Sequence, residues 1–175
     1  MRESQGSVAS APLGGQMQKI LVLTVVAASL GAAAMAETLP NDVSWAEDGS
    51  ISESLTGTPG NPDEGMVIMT TNALGNCVAC HAIAAMPDVP FQGNIGPQLD
   101  GAADRWTEAQ LRGIVVDAKH TFPDSFMPGM YKVGPFIRPG IAYTAKPPEK
   151  PEDIQPILSA QQVEDVVAYL MTLKE

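Results

Sequence analysis

The chain has 175 residues, of which 45% are hydrophobic, and a formal net charge of −10. That charge excludes nucleic acid and anionic membrane surfaces as partners. Nine aromatic residues allow only a small conventional core.

In chain order, residues 1–36 read as a leader and a cleaved signal peptide. Met17-Gln18-Lys19 gives a short positive start, residues 20–30 are an apolar run, and Ala34-Met35-Ala36 is a small-x-small cleavage site. Met17 is the more natural start, and residues 1–16 carry neither the charge nor the hydrophobicity of a signal. An uncleaved anchor is the alternative, although the run is short for a permanent membrane span. Cleavage after Ala36 leaves 139 residues, with 8 basic and 19 acidic side chains and a net charge of −11. That length suits one domain with a modest core.

Residues 37–61 are rich in Ser, Thr, Gly, Pro and acid, and read as an irregular arm that wraps a neighbour or stays mobile. Residues 62–175 form the main domain. Asn61-Pro62-Asp63-Glu64 predicts a helix start, since proline suits the first turn and the acids complement its positive end. Met66, Met69, Ala73 and Leu74 carry that helix over 62–75. Residues 82–101, broken by Pro and Gly, read as a loop. Asp104 or Thr107 can cap the next helix, Thr107-Glu108-Ala109-Gln110 has the capping-box pattern, and Leu111, Ile114 and Val115 give the helix its apolar face through about Ala118. Residues 121–157 are too dense in proline for a long helix. Ser159-Ala160-Gln161-Gln162 is a second capping box. It opens a last helix whose stripe is Val163, Val166, Val167, Leu170 and Met171, with Glu164 and Asp165 off the stripe. No strand pattern and no internal repeat appear.

The chemistry concentrates in Cys77-Val78-Ala79-Cys80-His81, which contains both cysteines of the chain. C-x-x-C-H is the attachment motif of a c-type haem. Two thiols one turn apart can add to the two vinyl groups on one porphyrin edge. The adjacent histidine then lies beneath the iron. A redox dithiol leaves His81 without a role, and a zinc site lacks a second cysteine pair. The cofactor predicted is one covalently bound haem c with its iron, held by Cys77 and Cys80. A buried macrocycle also supplies the flat apolar surface that the few aromatics do not. Haem c is attached outside the cytoplasm, so motif and signal together predict the periplasm.

His81 supplies one iron ligand, and the sixth decides what the iron can do. Met127, 46 residues later in Phe126-Met127-Pro128, is the leading candidate, because the following proline fixes the loop. Met130 and His120 are its rivals, and any of these methionines can equally be core filler. The Gly96-Pro97 carbonyl can accept from the free ring N–H of an iron-bound histidine, or be an ordinary turn. Trp106, Arg105 and Arg112 are candidate partners for haem propionates.

These residues resemble the class I cytochromes c: Cys77-Val78-Ala79-Cys80-His81, Gly96-Pro97, Leu111-Arg112, Met127-Pro128 and Val166-Val167-Ala168-Tyr169-Leu170. The closing stretch from Ile157 to Leu173, with Gly96-Pro97-Gln98-Leu99-Asp100-Gly101, is similar to the SoxX family, the monohaem subunits of bacterial sulfur-oxidising SoxAX complexes. The resemblance implies an all-α class I cytochrome c fold, three or four helices packed around one covalently bound haem with long Pro-rich loops. It implies a periplasmic heterodimer with a SoxA cytochrome. That complex joins thiosulfate oxidatively to a cysteine of the SoxYZ carrier (L-cysteine S-thiosulfotransferase) and releases two electrons. The SoxX subunit takes up electrons and passes them to an acceptor cytochrome c. The bond-forming haem, with its cysteine ligand, belongs to the SoxA partner. Both cysteines of this chain are already committed to the haem, so catalytic residues are expected on the partner. The stretch 135–156 departs from simple cytochromes c as a long proline-rich insert. A free-standing periplasmic electron carrier is the alternative. The arm and the insert favour a stable partner.

Overall fold

The computed structural model describes residues 36–136 and 154–175. The signal-type run and most of its cleavage site, together with residues 137–153 inside the proline-rich insert, lie outside the described residues.

Helix α1 spans Pro62–Thr70. The Asn61 side chain accepts from the Asp63 N–H at 3.0 Å, and Pro62 sits where no N–H is needed. The helix stops short of the predicted residue 75. Thr70 Oγ1 donates to the Met66 carbonyl at 2.9 Å and Thr71 Oγ1 to the Val67 carbonyl at 2.7 Å, while Thr71 itself is extended. Hydroxyls compete for the last-turn carbonyls, and the β-branched pair ends the helix. Asn76, in the left-handed region at φ 46°, then turns the chain into a single 3-10 turn, Cys77–Ala79.

Helix α2, Ala102–Arg105, is one turn that the sequence pattern does not reveal. Helix α3 spans Glu108–Asp117 and continues into a 3-10 turn, Ala118–His120. Helix α4 spans Ala160–Leu170. Both predicted capping boxes form, at Thr107–Gln110 and at Ser159–Gln162. There is no strand among the described residues, in agreement with the expected all-α fold of three or four helices.

Helices α1 and α4 cross most closely. A Cβ at Gly65 would run into the Asp165 carbonyl and the Tyr169 side chain. The absence of a side chain there brings Ile68 and Met69 of α1 against the Val163, Val166, Val167 and Leu170 stripe, all buried. Burying one such side chain contributes about 1.5–3 kcal/mol.

The arm packs against its own helices. Ile51 and Leu55 are buried. The Ile51 N–H donates to the Ala109 carbonyl at 2.9 Å, and the Leu55 N–H to Glu164 Oε1 at 2.7 Å. This placement buries the polar flank of α4. Glu164 also accepts from Arg112 Nε at 2.9 Å and Nη2 at 3.0 Å, and Arg112 Nη1 donates to the Ile51 carbonyl at 2.9 Å. Asp165 accepts from the Asn61 N–H at 2.9 Å. The chain before the insert and the chain after it are adjacent, since the Leu158 N–H donates to the Met130 carbonyl at 2.9 Å.

Candidate functional site

The 3-10 turn after α1, the loop at 96–99, helices α3 and α4, and the loop after His120 surround one cavity. Its wall is mostly apolar, with Met69, Leu99, Leu111, Val115, Val166 and Leu170 contributing. Cys77, His81, Met127 and Met130 face it together, although up to 53 residues of chain separate them. Cys80 is half-buried one turn from Cys77, its N–H donating to the Cys77 carbonyl at 3.1 Å. Burial pushes the Cys77 thiol up to about 11, so the free side chain is a neutral thiol.

His81 is oriented by the chain that follows it. Its Nδ1 lies 2.7 Å from the Pro97 carbonyl oxygen. A carbonyl only accepts, so Nδ1 carries the proton and Nε2 keeps its lone pair for a metal. Gly96 makes the approach possible. A Cβ there would stand 2.6 Å from Nδ1 and 2.7 Å from Nε2, with Cε1 closer still. The Gly96 N–H donates to the Cys80 carbonyl at 2.8 Å, and the Gly93 N–H to the Val78 carbonyl at 2.8 Å. The loop read from the sequence as irregular is therefore bonded to the motif itself.

Among the candidates for a sixth ligand, Met127 is half-buried and faces the cavity. Its N–H donates to Ser125 Oγ at 3.2 Å, and its carbonyl accepts from Lys119 Nζ at 2.9 Å. Met130 also faces the cavity, but it is 5% exposed and bonded through its backbone on both sides, to the carbonyl of Val115 and from the N–H of Leu158. His120 is not part of the cavity wall. Its ring stacks on Trp45 of the arm, with centroids 3.6 Å apart and planes 7° from parallel.

The propionate candidates divide. Arg105 and Trp106 line the cavity. Arg105 donates to the carbonyls of Asp100 at 2.7 Å and Gln98 at 3.0 Å, and Trp106 meets Phe122 edge-on at 5.7 Å. Arg112 does not serve there. Its side chain is 4% exposed and paired with Glu164 and Glu108. Burial lowers its basicity, but the two carboxylates more than offset that and raise it. This ion-pair site was not legible in the sequence, where Glu164 is simply off the apolar stripe.

Residues 63–174 match the family model for cytochrome c. The chain belongs to the cytochrome c family. It is also 61% identical to a chain in the crystal structure of SoxXA from P. pantotrophus, with a TM-score of 0.74, over 80% of this chain and 100% of that one. No curated protein matches it. The resemblance to SoxX cytochromes read from the sequence is borne out, and so is the class I cytochrome c fold.

The cofactor is a covalently bound haem c. The residues present fit it. The cavity joins a thiol, a histidine with Nε2 free and a thioether to an apolar wall, the donor set and surroundings such a group requires. Among the described residues no cluster of three or more His, Cys, Asp or Glu side chains could hold another metal ion. No described helix is long and apolar enough to cross a membrane.

Proposed function

We propose that this chain is the electron-transfer subunit of a SoxXA-type complex, with Cys77 and Cys80 bonded to the haem and His81 and Met127 as its iron ligands. The observation that carries the ligand reading is the 2.7 Å contact from His81 Nδ1 to the Pro97 carbonyl, in a cavity that Met127 also faces.

The haem supplies a one-electron couple when bound. The chain's residues set how that couple behaves. The Pro97 carbonyl holds the His81 ring in one tautomer and one orientation, and makes the imidazole a stronger donor. A Met127 thioether is a weaker donor to ferric iron than a second imidazole, and so favours the reduced state. The apolar wall excludes water and disfavours the extra charge of the oxidised site. Two strong ligands leave no position for a substrate, which suits electron transfer.

In this reading the partner is a SoxA-type cytochrome. Joining thiosulfate to a carrier thiol forms one sulfur–sulfur bond and releases one proton and two electrons. One haem stores one electron, and neither cysteine is spare. Bond formation therefore belongs on the partner, acting on a SoxYZ-type carrier, and this chain relays the electrons to an acceptor cytochrome c. Exposed apolar side chains support a stable partner over a free carrier. Phe91, Ile95 and Phe126 are 97%, 76% and 94% exposed, and none lines the cavity. They belong to the loops that bear Pro97 and Met127.

Export to the periplasm after cleavage at Ala36 belongs to the same reading, and N-terminal sequencing from Glu37 tests it. The role is tested by turnover with thiosulfate, carrier and electron acceptor, with and without the haem-bearing partner. Turnover should need the partner. Equal turnover by this chain alone would place the chemistry on its own haem.

A further inference from the structure

The loop that carries Met127 leaves the end of α3 and returns alongside it. The Met130 N–H donates to the Val115 carbonyl at 3.3 Å, and the Tyr131 N–H to the Val116 carbonyl at 3.2 Å. Between these points and the turn at 118–120, both flanks of the methionine run through one buried carboxylate. Asp117 is 3% exposed. Its Oδ2 accepts from Lys132 Nζ at 2.7 Å, on the far side of the loop. Its Oδ1 accepts from the Lys119 N–H at 3.2 Å, and Lys119 Nζ in turn donates to the Met127 carbonyl at 2.9 Å. The chain is tight around the carboxylate, since a Cβ at Gly129 would stand 3.2 Å from Asp117 Cγ and 3.2 Å from Lys132 Cδ.

We propose that Asp117 and Lys132 are positioning residues that hold Met127 at the haem iron, acting through the loop and touching neither iron nor haem. The inference rests on the ligand reading above. To withdraw Met127 the loop must open, and opening separates Lys132 from a carboxylate that stays buried. A buried charge stripped of its partner is strongly disfavoured. The pair therefore keeps the open-loop population small. A purely structural ion pair would stabilise the fold without favouring the closed loop.

The test uses the ferric holoprotein and imidazole, which competes for the position Met127 would leave. The readout is loss of the near-infrared sulfur-to-iron band. Apparent imidazole affinity scales with the open-loop fraction. Lys132 is the residue to change, because its side chain is 30% exposed and tolerates substitution better than Asp117. Lys132→Met keeps the aliphatic stem and removes the charge, and should tighten apparent imidazole binding about tenfold. Lys132→Arg should return it to within about twofold of wild type. Leu55→Ala, a core deletion in the arm, should lower thermal stability and leave imidazole binding unchanged. A change below about twofold in Lys132→Met, or an equal shift in Leu55→Ala, overturns the proposal. If the wild type lacks the band, or Met127→Leu keeps it, the ligand reading fails and this inference fails with it. If Met127→Leu alone abolishes the band while Lys132→Met binds imidazole as wild type does, only the positioning role is lost.

Discussion

A methyl group at residue 96 tests the histidine's hydrogen bond without altering any residue that meets the haem. In Gly96→Ala the new Cβ would lie 2.6 Å from His81 Nδ1. Ordinary contact begins near 3.4 Å and Cε1 lies closer still, so the ring must withdraw by more than about 0.8 Å. The 2.7 Å bond to the Pro97 carbonyl would then stretch past about 3.5 Å, beyond hydrogen-bonding range. Overpacking costs about 1–3 kcal/mol and the lost bond about 0.5–1.5 kcal/mol, so the holoprotein should lose about 2–4 kcal/mol of stability. The haem should respond in a definite direction. An imidazole without its acceptor is a weaker donor, ferric iron loses more than ferrous iron, and the reduction potential rises. A differential of about 1 kcal/mol corresponds to about 40 mV for one electron. Spectroelectrochemical titration of wild type and variant gives the potential, and denaturant unfolding gives the stability. A variant with unchanged potential and unchanged stability would refute the claim that Gly96 is there to admit the His81 ring.

Two further outcomes follow from the ion pairs. Glu164→Gln should destabilise the holoprotein by about 3–5 kcal/mol in denaturant unfolding, because it leaves the buried Arg112 guanidinium without its main partner; a loss under about 1 kcal/mol would contradict the network. Burial raises the Asp117 carboxyl, but the Lys132 ammonium and the Lys119 N–H more than offset it, so it lies below its ordinary value of 3.8. A depressed carboxylate stabilises the fold above its unfolded value, and that stability is lost as pH falls through the folded value. The stability advantage of wild type over Lys132→Met should therefore hold steady from about pH 7 to 5 and shrink below about pH 4. An advantage that persists undiminished at about pH 2 would show that the pair is not its source.

What the sequence shows and what it hides divide along a physical line. Local signals were legible: the C-x-x-C-H spacing, the capping boxes at Thr107 and Ser159, and the apolar stripe of α4 each specify their structure within a few residues. The Pro97 carbonyl was legible as a possibility, because a metal-bound histidine needs an acceptor, and the structure puts that oxygen 2.7 Å from Nδ1. Long-range pairings were not. Arg112 reads from the sequence as a candidate propionate partner, and only the arm laid over α3 and α4 turns it into a buried ion pair with a residue 52 positions away. Glu164 and Asp165 read as a solvated helix flank for the same reason, yet both are buried. The early end of α1 depends on Thr70 and Thr71 capturing carbonyls with their hydroxyls, a choice that apolar periodicity does not register.

The near-infrared sulfur-to-iron band of the oxidised holoprotein tests the central claim most directly, that one covalent haem is held between His81 and a thioether from Met127. Wild type should show the band, Met127→Leu should abolish it, and Met130→Leu and His120→Ala should keep it. A band that survives in Met127→Leu, or that disappears only in Met130→Leu, would contradict the assignment and move the ligand to another residue.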